Sequence, residues 1–90
     1  MTRKLSLTRD ADKFLERLDP KQYKQVVRKI FALASEATPP DSLQLQGSDY
    51  RRADQGEFRI VYYFDAADTV YVVLVGKRND DEVYARAKNK

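Results

Sequence analysis

The sequence contains neither cysteine nor histidine. Without cysteine there are no disulfides, no thiolate zinc sites and no cysteine nucleophile. Without histidine as well, a zinc or copper centre has only carboxylates to draw on, a donor set those metals disfavour, so no metal site and no cofactor are expected. Any general acid or base must be Tyr, Lys, Arg, Asp or Glu. Long apolar runs are missing too. The stretch Met1 to Leu7 has no apolar core of the kind a secretory signal carries, and no segment approaches the ~18 consecutive apolar residues of a membrane span. The expectation is a soluble, cytoplasmic protein with no membrane partner. Strong charge of one sign is also absent: 17 Lys and Arg stand against 14 Asp and Glu, for a net charge of +3. That balance is compatible with a nucleic-acid partner without establishing one, and its basic excess sits in the N-terminal half. Ninety residues make a single domain, 1–90, with one small core that would gain from a partner covering apolar surface.

What is present changes period along the chain. Arg3 to Leu7 alternates and predicts a short edge strand with Leu5 and Leu7 inward. Thr8 or Asp10 can cap the helix that follows, in which Ala11, Phe14, Leu15 and Leu18 share one face. Asp19-Pro20 breaks it and starts a second helix to about Ser35. There Tyr23, Val26, Val27, Ile30, Phe31 and Ala34 form an apolar stripe, while Lys21, Lys24 and Arg28 lie together on another face with Lys29 at its border. Thr38 to about Asp49 reads as an extended loop. From Tyr50 the period is two: a short strand to Ala53, a turn at Asp54-Gln55-Gly56, a strand Glu57 to Phe64, a hairpin loop Asp65 to Asp68, and a strand Thr69 to Lys77. Asp80, Asp81 and Glu82 suit the first turn of a short C-terminal helix, where acidic side chains are favoured. The fold class expected is α+β in two layers: an N-terminal strand and a helical hairpin on an antiparallel sheet of about four strands.

Parity then distributes the charges. Arg59, Val61 and Tyr63 share one face of their strand and Phe58, Ile60, Tyr62 and Phe64 the other. If the hairpin closes around Ala66-Ala67, Asp65 faces Asp68 and Arg59 falls opposite Leu74, on the side of Val70, Val72, Gly76 and Arg78. Lone strand arginines are commonly a solvated face or a guard against edge pairing, Tyr84 alone would be a packing aromatic, and the basic helix face alone a solvated one. As a set they are narrower: arginines at a sheet end with a tyrosine suit the binding of a phosphodiester and the extra negative charge of its pentacovalent transition state. RNA brings its own nucleophile in the 2′-hydroxyl, so such a site needs only positioning, charge and proton exchange.

The element order, the segment Leu45-Gln46-Gly47, the block Phe58-Arg59-Ile60-Val61-Tyr62 and above all Val75-Gly76-Lys77-Arg78 with Val83-Tyr84 closing it resemble the RelE branch of the RelE/ParE toxin superfamily, over essentially the whole chain. The resemblance implies the toxin of a type II toxin–antitoxin system, a ribosome-dependent, metal-independent endoribonuclease that cuts mRNA in the ribosomal A site. It gives Arg59 the scissile phosphate, Arg78 the transition-state charge and proton donation, and Tyr84 stacking on the substrate base with help in proton transfer. Lys77 and the arginines of Tyr50-Arg51-Arg52-Ala53 would bind substrate. The family carries two alternating basic residues on that strand, whereas Arg51 and Arg52 are adjacent and point to opposite faces of a regular strand: either Arg51 alone takes the role, or a bulge re-aims Arg52. Lys21, Lys24 and Arg28 would hold ribosomal RNA. The partners implied are a cognate antitoxin, the ribosome and mRNA, with operator DNA reached only through the antitoxin. The alternatives are a non-enzymatic, ParE-like inhibitor of DNA gyrase and a toxin fold that has lost potency.

Overall fold

Period-two alternation over the C-terminal half builds the centre of a five-stranded sheet. The structure, a computed structural model, describes residues 3–65 and 69–77. Its elements in chain order are β1 (Lys4–Leu7), α1 (Arg9–Glu16), α2 (Pro20–Ser35), β2 (Ser42–Gln44), β3 (Arg51–Gln55), β4 (Phe58–Phe64) and β5 (Thr69–Lys77). The strand order is β1-β5-β4-β3-β2. The fold is α+β as expected and the N-terminal edge strand is present; the sheet differs by one further strand at its other edge and by one parallel pairing. Leu43, inside the expected loop, belongs to β2, which pairs antiparallel with β3. β1 pairs parallel with β5, a geometry that needs a long crossover, here supplied by both helices and the rest of the sheet. The expected C-terminal helix lies outside the described residues. No helix among the described residues is long and apolar enough to cross a membrane.

Both helix starts are fixed by the side chains the sequence offers. The Thr8 hydroxyl accepts from the Ala11 amide at 3.2 Å and donates to the Val73 carbonyl at 2.6 Å, so one residue caps α1 and ties it to β5. Asp19 accepts from the Gln22 amide at 2.8 Å, and Pro20 follows at the first helical position, where its missing N–H costs nothing. The buried seam of α2 is Val26, Ile30, Leu33 and Ala34, displaced from the stripe read from the sequence: it includes Leu33, which that stripe omitted, and leaves out Tyr23 and Phe31. Phe31, about 140° round the helix from Val26 at 3.6 residues per turn, is 62% exposed, and Tyr23 is 47% exposed.

Against that seam lie Phe58, Ile60, Tyr62, Val70, Val72 and Val75 from the sheet. Tyr62, fully buried, hands its hydroxyl hydrogen to the Ala37 carbonyl at 2.6 Å, which pins the chain leaving α2 onto the sheet. On the sheet's other face Val61, Val73 and Leu74 form a smaller cluster with Leu45, Tyr50 and Tyr63 around it.

Two register details correct the expectations and matter for function. β3 continues through Asp54 and Gln55, so the turn is Gly56-Glu57 alone. Gly56 has φ +59°, the left-handed conformation a two-residue II′ hairpin asks of its first central residue. Asp54 is therefore a strand residue, opposite Arg59. Between β4 and β5 the register shifts at Val61/Tyr62: Val61 pairs with Leu74 but Tyr62 with Val72, leaving Val73 as the extra residue of a bulge. The bulge turns Val70 and Val72 toward the helices instead of toward Arg59's side, and it sets Arg59 opposite Gly76, not Leu74. At the hairpin end Asp65 closes on Thr69, whose carbonyl accepts the Asp65 amide at 3.1 Å.

Candidate anion-binding site

Strand alternation places Arg52 and Asp54 on one face of β3 and Arg51 and Ala53 on the other. Ala53 is buried in the core, so Arg52 and Asp54 take the face turned away from the helices. Arg59 is the cross-strand partner of Asp54, which brings it to that face as well. Its Nε donates to Asp54 Oδ1 at 2.7 Å and its Nη2 to Oδ2 at 3.0 Å, a side-on bidentate pair of the strong, planar kind. Arg52 Nη1 reaches the same Oδ2 at 3.4 Å. The side chains of Arg59, Arg52 and Asp54 are 13%, 25% and 25% exposed. One carboxylate thus holds two guanidinium groups, and the trio carries a formal charge of +1.

The two adjacent arginines are resolved by this geometry. β3 pairs without interruption from Arg51 to Gln55, so no bulge is needed: Arg52 faces Arg59, and Arg51 does not. Arg51 donates through Nη2 to Ser42 Oγ at 2.8 Å, while its Nε is buried with no hydrogen-bond partner among the described residues. It lines a cleft of about 390 Å³ with Gln44, Asp49, Tyr63, Phe64 and Asp65, at the end of the sheet opposite the Gly56 turn.

Of the other residues singled out in the sequence, Lys77 is exposed and pairs with Phe58, which puts it on the alternate face from Arg59. Lys21, Lys24 and Arg28 are exposed on α2, in the layer across the sheet from the Arg52–Asp54–Arg59 trio. Lys29 is engaged by Asp41 in an ion pair and does not extend that basic surface. Arg78 and Tyr84 lie outside the described residues; in the sequence, Arg78 follows two positions after Gly76, the residue opposite Arg59. Among the described residues no group of His, Cys, Asp or Glu is arranged to hold a metal ion.

Sequence reasoning passed over Asp54 by assigning it to the turn. A signal was available: centring the turn on Gly56-Glu57, with glycine at the first central position, pairs residue 54 with residue 59 directly. The tyrosines were also missed as a group. The Tyr50 and Tyr63 rings meet edge to face at 5.8 Å and Tyr63 stacks on Tyr71 at 4.7 Å with 17° between planes. Tyr71 donates to Asp65 Oδ2 at 3.3 Å. Chemically, two guanidinium groups converging on one pair of oxygens form a receptor for a carboxylate or a phosphate, and in this structure the oxygens belong to the chain itself.

A family model described as the ParE toxin of the type II toxin–antitoxin system parDE matches residues 5–82. Comparison with curated protein sequences gave no match. Among solved structures, a free-state double arginine-to-alanine mutant of the Escherichia coli toxin RelE superposes with a TM-score of 0.81 at 24% identity, over 99% of this chain and 97% of that one. The RelBE2 toxin–antitoxin complex of Mycobacterium tuberculosis gives 0.78 at 24% identity, over 87% of this chain and 100% of that one. The archaeal RelE–RelB complex of Pyrococcus horikoshii gives 0.76 at 24% identity, over 87% and 97%. At that identity the likeness is one of fold.

Proposed function

The chain belongs to the ParE toxin family of type II toxin–antitoxin systems, within the RelE/ParE superfamily, and from that premise we propose that it is an endoribonuclease toxin that cuts mRNA on the ribosome. The observation that carries the reading is the convergence of Arg52 and Arg59 on one oxyanion site, on the face of the sheet turned away from α1 and α2. In the reaction the 2′-oxygen of the substrate attacks the adjacent phosphorus, the bond to the 5′-oxygen breaks, and the products are a 2′,3′-cyclic phosphate and a 5′-hydroxyl. The proton of the 2′-hydroxyl leaves to a base and the 5′-oxygen gains one. Arg59 and Arg52 hold the non-bridging oxygens. Arg78 neutralises the added charge of the transition state and supplies the proton to the 5′-oxygen, and Tyr84 stacks on the substrate base. With no His or Cys in the chain, the charge neutralisation and proton exchange are assigned to arginine and tyrosine.

The exposed cations of α2, Lys21, Lys24 and Arg28, would hold ribosomal RNA by phosphate contacts. A cognate antitoxin is the expected protein partner, and operator DNA would be reached only through it. The RelE structures above that are complexes hold RelB, and the exposed Tyr23 and Phe31 provide apolar surface such a partner can cover.

The test is cleavage of mRNA in programmed ribosomes by the wild-type protein beside Arg59→Ala and Arg78→Ala. Removing one donor to a developing charge costs roughly 10²–10³ in rate, and that loss is expected of each variant. Equal cleavage by all three, or none by the wild type, overturns the assignment. A second reading, gyrase inhibition without catalysis, is favoured by one observation: the family model that matches is that of ParE. Gyrase trapped on DNA after expression, with mRNA intact, would transfer the conclusion to it.

A further inference from the structure

Asp54 has no part in the chemistry above, yet it makes a bidentate contact with Arg59 on that face. Its two oxygens lie against Arg59 Nε and Nη2 at 2.7 and 3.0 Å, with Arg52 Nη1 at 3.4 Å from one of them. Arg59 is only 13% exposed, so this edge of its guanidinium is reached by an outside oxyanion only if the carboxylate withdraws. A phosphate binds a guanidinium edge through the same two parallel N–H···O bonds. Asp54 therefore occupies the position, and supplies the charge, that a bound phosphodiester would.

We propose that Asp54 is a built-in counter-anion that competes with the phosphodiester for Arg59 and Arg52 and so determines how tightly the site takes free RNA. The inference rests on reading the site as an RNA site. Three features of the geometry support it. The carboxylate lowers the charge presented to an incoming phosphate from +2 to +1. It sits at a cross-strand position fixed by the sheet, so its effective concentration at the arginines is far above that of RNA in solution. And it spares two largely covered guanidinium groups the cost of lying there without an anionic partner, so that binding proceeds by exchange of one anion for another. A phosphate presented by additional contacts wins the exchange; one on a free strand competes poorly.

The experiment uses the full chain, Asp54→Asn and Asp54→Ser, each checked for folding by thermal melting. Two probes are applied: a short 2′-O-methyl oligoribonucleotide, which lacks the nucleophile, followed by fluorescence anisotropy over a range of salt; and inorganic phosphate, followed by the NMR signal of the Arg59 Nε–H group. Both variants are expected to bind both probes about tenfold more tightly than the wild type at low salt. The slope of log affinity against log salt should steepen by about 0.7 for each further phosphate of the single strand that the variant neutralises. Adding Arg59→Ala should abolish the gain. Equal or weaker binding of both probes by a folded variant overturns the proposal, as does unfolding of both variants, which would make Asp54 a structural residue. Tighter phosphate binding with no binding of the oligonucleotide by any protein keeps the counter-anion and removes the RNA reading beneath it.

Discussion

β4 presents Ile60 and Tyr62 to the helices and Arg59 to the opposite side, and the three residues show two ways of filling a sheet face. Ile60 and Tyr62 are wholly buried against Val26, Ile30 and Leu33 of α2 and their neighbours on β5. Their partners are chosen by shape and apolar area, which many sequences satisfy. Arg59 is nearly as well covered, but its pairing with Asp54 is set by direction: two nitrogen–oxygen distances, 2.7 and 3.0 Å, align the guanidinium edge with the carboxylate. The helix-covered face therefore carries stability that depends on volume, and the other carries a charge arrangement that depends on angle. Substitutions on the two faces should separate accordingly.

The largest separation is expected at neighbouring positions. Ile60→Ala should cost about 2–5 kcal/mol, the usual range for truncating an enclosed aliphatic side chain, whereas Arg59→Ala should cost about 1–2 kcal/mol, between an exposed and a buried ion pair, while removing most of the proposed cleavage. Urea denaturation of the two variants in parallel measures this. A loss from Arg59→Ala as large as that from Ile60→Ala would erase the distinction. Tyr62→Phe comes next. The Tyr62 hydroxyl is a directional contact inside the apolar face, and its removal leaves the Ala37 carbonyl without that donor, so a loss of about 1–3 kcal/mol is expected. Faster hydrogen exchange at 36–38 should accompany it.

The apolar face was the legible one. Periodicity gave both helices, the β4–β5 pair and most of the residues between them, because burial leaves a mark at every second or third position. It overreached at Phe31 and Tyr23, since a stripe records which side chains are apolar and not how far the sheet extends beneath them. β2 went unseen because three residues are too few to show a period. The charged face was legible only in part. Parity alone was enough to separate Arg51 from Arg52, but the direction depended on where the β3–β4 turn lay, and the turn was set one step early. That step hid Asp54. The bulge at Val73 was hidden for a different reason: Val70 to Val75 is apolar throughout, so nothing in the sequence records that the face changes there. Arg78 and Tyr84 fall outside the described residues, and the roles proposed for them rest on the family pattern.

Thr8 links the two faces and should give a smaller effect. It caps α1, which packs on the apolar side, and it donates to the carbonyl of Val73, the bulge residue beside the Val61–Leu74 cluster. Thr8→Ala is expected to cost about 0.5–2 kcal/mol, the range for losing a helix cap. If the hydroxyl also holds the bulge, amide shifts in an NMR spectrum should change at Val73 and Leu74 as well as at Ala11. Changes confined to Ala11 and its helix would reduce Thr8 to a cap and leave the bulge to the strand.

The smallest effect on stability should come from Asp54→Asn, and it is the sharpest test of the contrast between the faces. The pair with Arg59 is bidentate and the Asp54 side chain is 25% exposed, which places it between an exposed ion pair, worth about 0–1 kcal/mol, and a buried one, whose breaking costs about 3–5 kcal/mol. Water can reach the carboxylate and, after substitution, part of the arginine pair, so the expected loss in urea is about 1 kcal/mol, shrinking as salt is raised because screening weakens what is removed. A loss above about 3 kcal/mol that persists in high salt would mean that the trio is a buried structural network. The face turned away from α1 and α2 would then be doing the same job as the covered one, by hydrogen bonds in place of apolar area. A small, salt-sensitive loss means instead that the fold does not depend on the arginines, and that their geometry is maintained for an anion that comes from outside.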